Sequence, residues 1–145
     1  MNRSMVDFCL PFVDEVEWAK TDKDKLYRLI QYCNSSAMGQ CFVVWDERQV
    51  VGICAVSAEE LPWSQKRYAC IHLIFGLKSD TIKILASEII SWFESKRNIL
   101  AIQYSFPVKQ DNVISVLEDL GFLWEGSVFM RRRYNGLSKQ NIQAG

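Results

Sequence analysis

The hydrophobic period of residues 68–134 switches from strand to helix, back to strand, and then to helix again, and that order constrains the fold more than any bulk property. Residues 68–75 (YACIHLIF) are almost continuously apolar, which predicts a central strand covered on both faces. The short loop Gly76-Leu77-Lys78-Ser79-Asp80 follows. Ile82, Leu85, Ala86, Ile89 and Phe93 then fall on one stripe and predict a helix over 81–97, with Ser79 or Asp80 as its N-cap. Residues 99–106 read as a second apolar strand closed by Pro107. Val113, Ile114, Leu117 and Leu120 give a short helix that Gly121 stops in a left-handed cap. Residues 122–124 and 128–133 read as a terminal hairpin about Glu125-Gly126, with a polar tail after Asn135-Gly136.

The first half is less sharply patterned. Residues 6–10 read as a short strand ended by Pro11, and residues 12–20 as one or two helical turns with Val13 and Val16 inward. A firmer helix starts at Thr21, whose hydroxyl is placed to accept from the Asp24 amide, and runs through Leu26, Leu29, Ile30 and Cys33. Residues 41–45 and 50–57, rich in β-branched and aromatic side chains, pair as an antiparallel hairpin. Pro62 and an aperiodic pattern make 59–66 a loop. Together these elements predict an α+β fold, one mixed β-sheet flanked by helices, in a single domain over 1–134 with a C-terminal tail over 135–145.

Bulk properties exclude more than they assign. Lys plus Arg and Asp plus Glu each number 17, so the net charge is zero and nucleic acid is not an expected partner. Cys9, Cys33, Cys41, Cys54 and Cys70 are odd in number and contain no C-x-x-C pair, so reduced thiols are expected rather than disulfides or a metal site. No apolar run approaches the roughly 20 residues of a membrane span, and the first residues lead into Asp7 and Pro11 rather than a signal-peptide core. A cytoplasmic protein is the expectation.

The element order, with the short helix running into Leu120-Gly121-Phe122 and a hairpin after it, resembles the GNAT superfamily of acetyl-CoA-dependent N-acetyltransferases. The resemblance covers residues 34–134 and implies transfer of an acetyl group from acetyl-CoA to an amine. It implies that two parallel strands, 70–75 and 99–105, splay apart, and that the pantetheine arm pairs with the backbone of the first, at Leu73 and Ile74. The family's pyrophosphate loop, Q/R-x-x-G-x-G/A, corresponds to Gly76-Leu77-Lys78-Ser79-Asp80-Thr81. Gly76, Lys78, Ser79 and Thr81 are thereby the expected anion contacts at a helix N-terminus, with Asp80 opposing them. Asn112 lies near the position of a further cofactor contact, where Gln110 stands in register. Leu117 occupies the place where many members carry a tyrosine that protonates the thiolate.

Three residues are candidates for proton transfer. His72, the one histidine of the chain, lies on the strand where an amine would meet the thioester, and serves either as general base or as a hydrogen-bonded core residue. Glu59, beside Glu60, is placed to deprotonate an amine directly or through water, or is simply solvated. Tyr104 offers a phenol late in its strand, or packs with its tip exposed. Alternation along 128–133 sends Arg131 and Arg133 to one side and Arg132 to the other. A weaker likeness is to GNAT-like internal virion proteins of short-tailed phages. It implies a catalytically inactive structural module with protein partners and a virion location.

Overall fold

The computed structural model describes residues 2–124. Its eight elements run α1 (Asn2–Val13), α2 (Lys23–Ser35), β1 (Gly39–Asp46), β2 (Gln49–Glu60), β3 (Arg67–Gly76), α3 (Ser79–Glu94), β4 (Ile99–Tyr104) and α4 (Asp111–Asp119). The strands form one mixed sheet in the order β1-β2-β3-β4. β1/β2 and β2/β3 are antiparallel, and β3/β4 is parallel.

Helices cover both faces, and strand alternation supplies each with its own core. Cys54, Val56, Ala58, Ala69, Ile71 and Ile74 pack beneath α3 and α4 with Ile82, Leu85, Ile89 and Val113. Ile53, Ala55, Leu73 and Phe75 pack beneath α1 and α2 with Met5, Val6, Cys9, Leu26, Ile30 and Cys33. Phe75 stacks on Phe12 with centroids 4.6 Å apart and meets Phe106 edge-on at 5.6 Å. Such pairs add about 0.5–1.5 kcal/mol each beyond the area they bury.

α1 replaces the strand expected at 6–10. Met5, Val6 and Cys9 are buried and Phe12 and Val13 half-buried, a helical spacing whose burial outweighs the one bond to the Asp7 carbonyl that Pro11 forgoes. Past it, residues 14–20 form turns, with Val16 buried. The N-cap of α2 is Asp22, not Thr21. Its carboxylate accepts from the amides of Asp24 and Lys25 at 3.0 and 3.2 Å, while Thr21 Oγ1 donates to Asp14 Oδ1. An anion at this end also complements the helix dipole, which a hydroxyl does not.

β2 extends through Glu59 and Glu60, which the sequence places in a loop; both pair with β3 at Tyr68 and Arg67. α3 starts two residues earlier than its stripe predicts and ends at Glu94. Trp92 is buried on its inner face, and Phe93 packs against the same core. Lys78 holds the N-cap position in place of Ser79 or Asp80 and makes no side-chain capping bond. Gly52 and Gly76, directly opposite each other, admit this helix end. A Cβ at Gly52 would overlap Thr81 Cγ2, and one at Gly76 would lie 2.8 Å from Ile82 Cγ1. The stop after α4 is as expected: Gly121 has φ +95° and Phe122 donates to the Leu117 carbonyl. Residues 122–124 carry no strand, and the segment 128–133, its arginines and the tail lie outside the described residues.

Candidate functional site

The ladder between β2 and β3 breaks once. Ala55 pairs with Leu73 and Val56 with Ile71, leaving His72 as the extra residue of a β-bulge. The bulge explains why Ile71 and Leu73, two apart, enter opposite cores: below it the odd residues face α3 and α4, above it they face α1 and α2. It also marks where the sheet opens. β3 pairs with β4 from Arg67 to Ile71, opposite Ile99 to Tyr104, and residues 72–76 have no partner on that side among the described residues. A bulge bends its strand and sharpens the twist, so parallel neighbours diverge beyond it.

The α1/α2 side of the sheet changes character at the same place. Ser57 is the one buried polar side chain among the described residues, and its Oγ lies 2.7 Å from His72 Nε2. Glu59, two residues further along β2 and therefore on the same face, is exposed. From β3, Cys70 shares this face, and Gln103 Nε2 of β4 contacts its Sγ at 3.3 Å. Burial holds the His72 imidazole below its usual pKa of 6.5, while the charge of Glu59 works against that shift. The Cys70 thiol is raised, chiefly by burial, against hydrogen bonds from Gln103 and Tyr68.

His72 and Glu59 are thus brought together, and Tyr104 is not. Tyr104 packs against the α3/α4 core, its hydroxyl donates to Gln110 Oε1 at 2.9 Å, and burial pushes its pKa up to about 12. Leu73 and Ile74 send their side chains into the two cores and leave backbone groups on the open edge of β3. Gly76, Lys78, Ser79 and Thr81 surround the start of α3, where no side chain caps the first amides and Asp80 sits in the first turn. Asn112 turns its Oδ1 to the amide of Val113 in the first turn of α4. Leu117 is buried in the core. Ser57 and Gln103 escaped the sequence reading. A signal existed for Ser57, which continues the inward phase of Ile53 and Ala55 with a hydroxyl. Among the described residues no three His, Cys, Asp or Glu converge as metal ligands, and no helix is long and apolar enough to cross a membrane.

The same overall fold recurs among solved structures. A transcriptional regulator from Bacillus halodurans C-125 superposes with a TM-score of 0.69 at 16% identity, over 91% of this chain and 93% of the other. A possible acetyltransferase from Clostridium difficile 630 gives 0.66 at 16% identity, over 92% and 91%. An aminoglycoside acetyltransferase from an uncultured soil metagenomic sample, solved with sisomicin, gives 0.64 at 13% identity, over 91% and 86%. The chain has the GNAT fold. No protein-family model matches it, and no curated protein matches it in sequence. At these identities the likeness carries the GNAT fold and leaves the activity to the site.

Proposed function

We propose that this GNAT-fold chain is an acyltransferase that moves an acetyl group from acetyl-CoA to an amine. The observation that carries the reading is the bulge at His72, which opens the edge of β3 beside the Ser57–His72 pair, with Glu59 on the same face of β2 two residues past Ser57. The residues present fit the cofactor through their backbone. The unpaired edge at 72–76 offers strand-like hydrogen bonds to a pantetheine arm, at Leu73 and Ile74. The uncapped amides of Ser79, Asp80 and Thr81, with Lys78 and the Ser79 and Thr81 hydroxyls, suit a pyrophosphate. Gly76 keeps that helix end low against the sheet. Asp80 reduces the attraction without removing the amides.

Acetyl-CoA supplies an activated acyl group, so the protein need only position the acceptor and remove its proton. His72, at the open edge, and Glu59, on the same face further along β2, are the groups available for that. Tyr104 is the donor candidate on the other face, with its phenol held by Gln110. Free thiols at all five cysteines suit a reducing cytoplasm. An inactive GNAT-fold module with protein partners, such as a virion component, is the second reading. It is favoured by Leu117, which fills the core where a thiolate-protonating phenol would stand.

Release of the CoA thiol on mixing the protein with acetyl-CoA and primary amines separates the two. The acyltransferase reading expects amine-dependent release that falls at least tenfold in Glu59→Gln. Release no faster than the uncatalysed background with diamines, aminosugars and peptide amines alike would overturn it.

A further inference from the structure

We propose that Ser57 holds His72 in the tautomer that carries its proton on Nδ1, so that His72 serves the site as a hydrogen-bond donor and Glu59 receives the proton of the acceptor amine. The roles rest on the acyltransferase reading; the tautomer does not.

Proton accounting at Ser57 decides the direction of the 2.7 Å contact. The serine is 1% exposed, and His72 Nε2 is its one side-chain partner. If Nε2–H donated to Oγ, the serine's own proton would be buried with no acceptor, the more costly way to leave a hydroxyl. With Oγ–H donating to Nε2, donor and lone pair satisfy each other. The ring proton then sits on Nδ1, and His72 has no free lone pair for a substrate. Burial also disfavours the imidazolium that a histidine base would have to become.

The carboxylate of Glu59 fills the vacant role. It is exposed on the same face and makes no ion pair among the described residues, and its charge reaches His72. Glu60, turned to the opposite face, is already held by Arg67 at 3.3 Å. The other titratable groups on this side are Tyr68 and Cys70 of β3. β4 adds the Gln103 amide, β1 the thiol of Cys41, and α1 and α2 pack apolar side chains, Tyr27 and the thiols Cys9 and Cys33 into the adjoining core. In the transfer a C–N bond forms and a C–S bond breaks. The amine proton goes to Glu59, the thiolate leaves with the electron pair, and the Nδ1–H of His72 donates to oxygen or sulfur as it gains charge.

His72 is the single histidine, so a long-range 1H–15N spectrum reads its tautomer without assignment. The native protein should show the Nδ1–H form at pH 7.5, Ser57→Thr should keep it, and Ser57→Ala should give a mixture. In the transfer assay, Glu59→Gln should lower kcat about 100-fold with KM changed less than threefold and abolish the acidic limb of the pH profile. Glu59→Asp should restore part of the rate, and His72→Gln should lower kcat but keep the limb. An Nε2–H tautomer in the native protein, or a limb that survives Glu59→Gln and disappears in His72→Gln, overturns the proposal. So does an acetyl adduct on Ser57, which would make the serine a nucleophile. Should no amine be acetylated, the assignment to Glu59 falls with the acyltransferase reading, while the spectrum still decides the tautomer.

Discussion

The two faces of the central strand are built from the same sequence run and do opposite work. Toward α3 and α4, β2 and β3 present Cys54, Val56, Ala58, Ala69, Ile71 and Ile74, a closed apolar layer. Toward α1 and α2 the layer is apolar only beyond the bulge, at Leu73 and Phe75, and polar before it, at Ser57, Glu59, Cys70 and His72. One extra residue at His72 separates the two halves and coincides with the end of β4 pairing. The contrast teaches that one face is given wholly to the core, while the other is divided between core and polar groups at a single register break.

The largest effect should come from breaking the aromatic centre of the α1/α2 core. Phe75→Ala removes a ring that touches both Phe12 and Phe106 and should cost about 3–5 kcal/mol in urea unfolding. A loss below 1 kcal/mol would show that this core is not continuous. Next, Gly52→Ala forces Thr81 away and should cost about 1–3 kcal/mol while weakening acetyl-CoA binding. Unchanged affinity would separate the start of α3 from the cofactor. Asp80→Asn should sharpen the comparison in the other direction. It should tighten acetyl-CoA roughly two- to fivefold by calorimetry, the worth of about 0.3–1 kcal/mol near a helix N-terminus, and weaker binding would contradict that placement.

The smallest effects are those of pH. The folded pKa of His72 lies below 6.5, so its contribution to stability is complete above 6.5 and is lost as pH falls toward the folded value. The urea midpoint of the native protein should therefore drop more between pH 7 and 5 than that of His72→Gln. Equal drops would mean the imidazole is not buried. Burial carries the Cys9 and Cys33 thiols the other way, to about 12 from a usual 9.0. Both should resist alkylation in the native state at pH 8 while half-exposed Cys70 reacts first, as peptide mapping would show.

The elements with many period repeats were legible in the sequence. The stripe of α3, the continuous apolar run of β3 and the glycine stop after α4 each repeat one physical demand several times. α1 was not, because Pro11 suggested the end of a strand while Met5, Val6 and Cys9 kept a helical spacing too short to outweigh it. Among the proposed site residues, His72 and Glu59 could be singled out by type, but their shared face could not. Strict alternation from Ile71 would put Leu73 under α3 and α4, and only the bulge, a property of pairing between β2 and β3, moves it to the other core. Ser57 shows the same gap. Its role comes from a partner 15 residues away on the next strand.

Acetyl-CoA titration by calorimetry with a parallel thermal shift decides whether the open edge of β3 and the start of α3 form one binding site. Saturable one-to-one binding and a stabilisation of about 2.7 kcal/mol at 100 times the dissociation constant are expected. No heat and no shift at millimolar acetyl-CoA would contradict such a site.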